Sequence, residues 1–113
     1  MKLHCRDVVE VEGLAFVSGK VGDLNGVVVA GGAGHETTQA LNNLETSLQT
    51  VGMQLSDVIK VIVYLTNIDE WDEMNASYLA AFEDPLPARS SVGVAMLPLG
   101  AHIQIDAIAY RKR

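Results

Sequence analysis

The ten residues Asp57–Thr66 constrain the fold of this chain more than any other segment. Val58, Ile59, Val61, Ile62, Val63, Tyr64 and Leu65 fill the run with β-branched and large apolar side chains. Successive strand residues point to opposite faces, so both faces of this segment are apolar. The pattern predicts a central strand covered on two sides. At 113 residues the chain has room for one core, and it reads as a single domain over residues 1–113.

Two helices are available to cover that strand. From His35 to Val51 the apolar residues Leu41, Leu44, Leu48 and Val51 recur with helical spacing, and Gly52 follows as a left-handed cap. A second helix begins at Asn67, where Asn67 and Glu70 have capping-box spacing. Asp69, Glu70, Asp72 and Glu73 lie in its first turns, where the helix dipole favours acids. This acidic run reads as a solvated helix start, since no histidine is interleaved to make a metal site. Trp71, Met74, Tyr78 and Phe82 form the apolar stripe, and Pro85 and Pro87 end the helix.

The remaining elements are strands. Val8–Val11 and Leu14–Val17, split by Gly13, predict a hairpin. Residues 19–35 are glycine-rich and carry a short strand, Val27–Ala30. Two strands close the chain, Arg89–Leu97 and His102–Tyr110. The order gives an α+β domain, a mixed sheet with both helices on one face. No element is left for the other face, so a sheet from a neighbouring copy is expected there. The composition agrees: 49% hydrophobic residues and a mean hydropathy of +0.20 are apolar for so small a domain.

Charge and cysteine content exclude whole classes of function. Eight Lys and Arg against fourteen Asp and Glu give a net charge of −6, and between residues 21 and 110 the only Lys or Arg are Lys60 and Arg89. A nucleic-acid partner needs a basic stripe to neutralise phosphates, and none can be built here. No apolar run reaches the ~20 residues of a membrane span, and no signal-peptide core is visible. The single cysteine, Cys5, rules out an intrachain disulfide and a multi-cysteine zinc site. None of His4, His35 and His102 has metal-ligand spacing to a partner. A cytoplasmic protein without a metal is expected.

Among the polar residues, Arg89 stands out. It opens an apolar strand that bears no Asp or Glu. A lone guanidinium at the edge of an apolar sheet suits bidentate capture of a small carboxylate. A structural ion pair with Asp84 or Asp106 is the alternative. The last strand alternates, with His102, Gln104 and Asp106 on one face and Ile103, Ile105, Ala107 and Ala109 on the other. Its polar face is either solvated or lines a pocket. Gly31, Gly32 and Gly34 precede a helix but lack the spacing and lysine of a phosphate loop, and read as loop glycines.

Taken together, these segments resemble the RidA/YjgF family. Pro87-Ala-Arg-Ser-Ser-Val-Gly-Val-Ala-Met-Leu-Pro98, followed by Ala101-His-Ile-Gln-Ile-Asp-Ala-Ile-Ala109, is similar to its C-terminal signature. Phe16–Gly19, Gln39–Leu44, Asp57–Val61 and Met74–Tyr78 are supporting matches. The resemblance covers roughly residues 6–111. It implies a chorismate-mutase-like fold in a homotrimer, with sites between subunits. It also implies cofactor-free hydrolysis of 2-imino acids or their enamines to 2-keto acids and ammonia. Arg89 then matches the arginine that binds the substrate carboxylate. Ser91 stands where many members have a cysteine whose backbone contacts substrate. Asn75 matches a helix asparagine near the cleft, and Ser18 the serine of a Ser-Gly-Gln segment.

Two departures bear on the chemistry. Gln104 replaces the family's glutamate, and an amide can orient water but not act as a general base. The family's Gly-Pro-Tyr-Ser segment is absent, with Cys5 at its tyrosine position and Lys20 in place of the glutamine. His102, two residues before Gln104, is a candidate substitute base. Two functions are therefore expected to compete: a slow or substrate-shifted imine deaminase, and a non-catalytic trimer that binds small carboxylates such as 2-keto acids. A ribonuclease reading, attached to some relatives, conflicts with the charge.

Overall fold

A computed structural model describes residues 5–111; His4 lies outside them. The chain opens with β1 (Val8–Val11) and β2 (Leu14–Val21), which turn at Glu12 and Gly13 with positive φ at both residues. The same device recurs at Asn25-Gly26, joining β3 (Asp23–Leu24) to β4 (Val27–Val28). The expected strand at Val27–Ala30 is therefore one arm of a two-residue hairpin and stops at Val28. Then come α1 (Ala33–Gln49), β5 (Val58–Leu65), α2 (Trp71–Ala81), β6 (Ala88–Gly93) and β7 (Ile103–Tyr110).

Five strands form one sheet in the order β1-β2-β7-β5-β6. Only β5 and β6 are parallel, paired from Lys60–Ala88 to Leu65–Gly93. A parallel pair needs a crossover, and α2 supplies it. The closing strands are shorter than expected. Beyond Gly93 the chain leaves the sheet after Val94 donates to the Leu65 carbonyl at 2.8 Å. A turn at Pro98–Gly100, with Leu99 at φ +61, then returns it to β7.

Both helices cover one sheet face. Leu41, Leu44 and Leu48 of α1 and Met74 and Tyr78 of α2 are buried with Val61, Val63, Leu65, Ile103 and Ile105 of the sheet. The end of α1 follows the sequence reading. Met53 N–H reaches the Leu48 carbonyl at 3.0 Å, Gly52 N–H reaches that of Gln49 at 3.1 Å, and Gly52 takes φ +72. At Asn67 the cap is simpler than expected. Its side chain accepts from Asp69 N–H at 3.0 Å and starts a tight turn, Ile68–Glu70, that leads into α2. The reciprocal capping box lies instead at Gln54 and Asp57, just before β5.

The start of α1 is completed from outside the helix. Its N-cap, Gly32, offers no side chain, and Glu73 of α2 accepts from Gly34 N–H at 2.9 Å. A Cβ at Gly32 would fall 3.0 Å from that carboxylate. The glycines before the helix thus make room for a carboxylate of the same chain.

β5 is covered on one side within the chain, not two. Val61, Val63 and Leu65 are fully buried, whereas Ile62 and Tyr64 lie on the opposite face, partly exposed. Phe16 and Val92 are 44% and 39% exposed on that same open face. Its apolar character comes from the same alternation that builds the core, and nothing among the described residues covers it.

Gly22 marks a close approach between the end of β2 and α1. A Cβ there would lie 2.3 Å from the Glu36 carbonyl oxygen and 2.7 Å from its Cα. Gly22→Ala should therefore cost about 1–3 kcal/mol through forced backbone movement. Gly26→Ala meets nothing within 4 Å and pays only for its φ of +85, about 1 kcal/mol. Thermal melts of the two variants should rank them in that order, and equal losses would refute the close approach.

Candidate functional site

Arg89 lies opposite Val61 in the β5–β6 pair, on the helix-facing side of the edge strand. Its Nη1 donates to Asn75 Oδ1 at 2.8 Å. The guanidinium carbon sits 4.4 Å from the centroid of the Tyr78 ring and 5.4 Å from that of Trp71. Trp71, Asn75 and Tyr78 follow one another along one face of α2, four and then three residues apart. Among the described residues Arg89 pairs with no carboxylate, so the alternative of an ion pair with Asp84 or Asp106 is not realised. Burial pushes the Tyr78 phenol up, with the neighbouring Arg89 charge acting the other way. Ser91 pairs with Val63, two residues beyond Arg89 and on the same side of β6.

A second polar group occupies the open face. Gln104 pairs with Val21 on one side and Tyr64 on the other. Its amide donates to Asp106 Oδ1 at 3.4 Å, and the Tyr64 hydroxyl donates to Asp106 Oδ2 at 2.9 Å. That bond to a carboxylate raises the Tyr64 pKa. Both Gln104 and Asp106 lean over Gly19, where a Cβ would fall 2.4 Å from the amide nitrogen. Gly19 falls inside the register break between Val17 and Lys20. Ser18 donates to the Arg6 carbonyl at 2.6 Å and lies 3.7 Å from Cys5 Sγ. Lys20 pairs with Asp7 beside this group.

The expected site residues thus form two groups on opposite faces of one sheet. Arg89, Asn75 and Ser91 gather under α2; Gln104, Ser18 and Cys5 gather on the open side. A single chain does not bring them together.

His102 joins neither group. It precedes β7, and its ring and amide both turn to α1 rather than sharing the face of Gln104. Its N–H donates to Glu36 Oε1 at 2.7 Å, and its Nδ1 lies 2.5 Å from Glu36 Oε2. Glu36 is 1% exposed. The hydrogen bond to Glu36 raises the His102 pKa, its negative charge adds to this, and Glu70 and Glu73 add more from α2 and the turn before it. Sequence reading missed Glu36, although a signal was present. Glu36 stands four residues before Ala40 and eight before Leu44, on the buried stripe of α1, and a carboxylate there requires a partner.

Comparison with known proteins places this geometry among relatives. The profile of the family described as endoribonuclease L-PSP matches residues 4–111. A rat protein named 2-iminobutanoate/2-iminopropanoate deaminase is 39% identical over 101 residues, 88% of this chain and 74% of the rat protein. The fission-yeast protein mmf1, named as mitochondrial, is 36% identical over 89% of this chain. The match spans 64% of mmf1, so the chain covers under two thirds of that relative. The crystal structure of the E. coli YjgF gene product is 31% identical with a TM-score of 0.87, covering 94% of this chain and 87% of that one. E. coli TdcF, solved with bound serine, is 26% identical with a TM-score of 0.91, covering 99% and 91%.

The His102–Glu36 pair predicts a pH dependence of stability. The folded-state pKa of His102 lies above its ordinary 6.5. Its contribution is therefore fully present below the unfolded value and is lost as pH rises through the folded one. The native protein should lose melting temperature across that window, and His102→Ala should flatten this part of the profile. Identical slopes in the two proteins would dismiss the pair as a source of pH dependence.

Proposed function

The chain belongs to the family described as endoribonuclease L-PSP, the YjgF/RidA family, and on that footing we propose that it is an imine deaminase of the 2-iminobutanoate/2-iminopropanoate type. The observation that carries this reading is Arg89: a held guanidinium with no carboxylate partner among the described residues. Such a fork is matched to a planar carboxylate ligand.

In this reading the protein works as a homotrimer. The open faces of three copies cover one another, and the Arg89 group of one copy meets the Gln104, Ser18 and Cys5 group of the next. Arg89 then holds the carboxylate of a 2-imino acid, with the Ser91 backbone beside it. Gln104 is held through its nitrogen by Asp106, which leaves its amide oxygen to accept a hydrogen bond from water. Water adds to the imine carbon, the C–N bond of the resulting carbinolamine breaks, and ammonia leaves a 2-keto acid. A protonated imine is already an electron sink, so a positioned water suffices for slow turnover. The reaction uses no cofactor. His102 is left out of this site because Glu36 holds its ring on the α1 side. The lone Cys5 calls for no oxidising compartment, and we assign the protein to the cytoplasm.

Gln104 supports a second reading, a trimer that binds 2-keto or related small acids without turning them over, since an amide supplies no general base. RNA cleavage, despite the family's description, is disfavoured by the net charge of −6 and by the scarcity of basic residues between 21 and 110.

Light scattering at micromolar concentration should give about three times 12.1 kDa. A stable monomer would leave the two polar groups apart and end this reading. Hydrolysis of freshly generated 2-iminobutanoate should exceed the spontaneous rate weakly in the native protein. It should rise by up to ~10²–10⁴-fold in Gln104→Glu, the usual range for a general base. Arg89→Lys should abolish both rates by removing the fork. Binding of 2-oxobutanoate without turnover in either the native protein or Gln104→Glu would select the second reading.

A further inference from the structure

An arginine that is to capture an anion must be held in place without being neutralised. A carboxylate partner would fix the guanidinium but would compete with the ligand for the same N–H edges and cancel its charge. Among the described residues the contacts that hold Arg89 are all uncharged: an amide oxygen at 2.8 Å and two aromatic rings, Tyr78 at 4.4 Å and Trp71 at 5.4 Å. A ring face attracts a cation through its quadrupole and takes up none of the N–H donors. Tyr78 is 2% exposed and lies against Phe82 with ring centroids 4.7 Å apart, so its ring is fixed by the core. Its hydroxyl finds no hydrogen-bond partner among the described residues, which is unusual for a buried tyrosine and sets the ring apart as the part in use.

We propose that Tyr78 is a positioning residue for ligand capture, its ring forming with Trp71 and Asn75 an uncharged clamp that orients Arg89 and leaves its charge and fork edge for an incoming carboxylate. The proposal deepens the function argued above and rests on it for the identity of the ligand. It gives Asn75, which the resemblance sets near the cleft, a definite role: its amide oxygen holds Arg89. It also explains why an amide stands there, since an aspartate of the same shape would satisfy the guanidinium outright.

The test compares four proteins: native, Tyr78→Phe, Tyr78→Leu and Asn75→Asp. Each is measured for 2-oxobutanoate affinity by calorimetry, for melting temperature, and for the Arg89 side-chain proton resonances. Tyr78→Phe keeps the ring and should retain native affinity, melt no lower than native, and keep the upfield ring-current shift of Arg89. Tyr78→Leu should lose most of that shift, Trp71 supplying the remainder, and weaken binding by about 5–30-fold, the range of a partly to fully desolvated cation–π contact. Asn75→Asp should melt at or above the native temperature and yet bind about tenfold more weakly, because the fork is now satisfied within the chain. A merely structural role predicts the opposite coupling, with affinity following melting temperature. Native affinity in folded Tyr78→Leu and Asn75→Asp would overturn the clamp while leaving the proposed function standing. A native protein that binds no 2-oxobutanoate would overturn the ligand assignment instead. The resonances then decide the clamp: an Arg89 shift that is absent, or that survives Tyr78→Leu undiminished, ends it.

Discussion

The parallel pairing of β5 and β6 is the constraint on which the arginine site depends. Two adjacent parallel strands cannot be joined by a tight turn, so the chain must cross over, and it does so as α2. The crossover lays one face of α2 along the edge strand. Trp71, Asn75 and Tyr78 reach Arg89 for that reason, although they precede it by 11 to 18 residues. The helix that closes the core over Val61 and Val63 is therefore also the wall of the site. A substitution that loosens α2 would disturb packing and ligand capture together.

Among the described residues the second face of the same sheet has no cover. Alternation on β5 buries Val61, Val63 and Leu65 and necessarily turns Ile62 and Tyr64 the other way. β7 does likewise, burying Ile103 and Ile105 while presenting Gln104 and Asp106. Three of the seven expected site residues, Gln104, Ser18 and Cys5, thus lie on the surface that most needs a partner. Association of copies would satisfy the apolar surface and complete the site in one step.

Local patterns were legible in the sequence, and long-range pairings were not. The Gly52 cap could be read because its hydrogen bonds span five residues or fewer. The apolar positions of α1 and α2 could be read because periodicity is a property of each helix alone. Arg89 stands out by subtraction, as a base on an apolar strand that carries no acid of its own. What held Arg89 could not be derived that way, because cation–π contacts leave no mark in the sequence. Strand alternation puts His102 on the face of Gln104 only if it extends one residue past the point where the backbone bends toward α1. The doubly apolar pattern of β5 predicts two covers, and the described residues supply one, because periodicity shows that a face is apolar but not what lies against it.

The carboxylate of Glu73 at the start of α1 has a consequence for how the molecule assembles. A helix normally stops its own first turn with a residue beside it, and here that function is delegated across 39 positions of sequence. The first turn of α1 is incomplete until the β5-α2 segment has formed and docked. Forming the two helices is thus a linked event rather than two independent ones. The Gly34 amide, hydrogen-bonded to Glu73 and packed against Ser77 of the same helix, would report in hydrogen exchange on the parting of the two helices and not on fraying at the end of one.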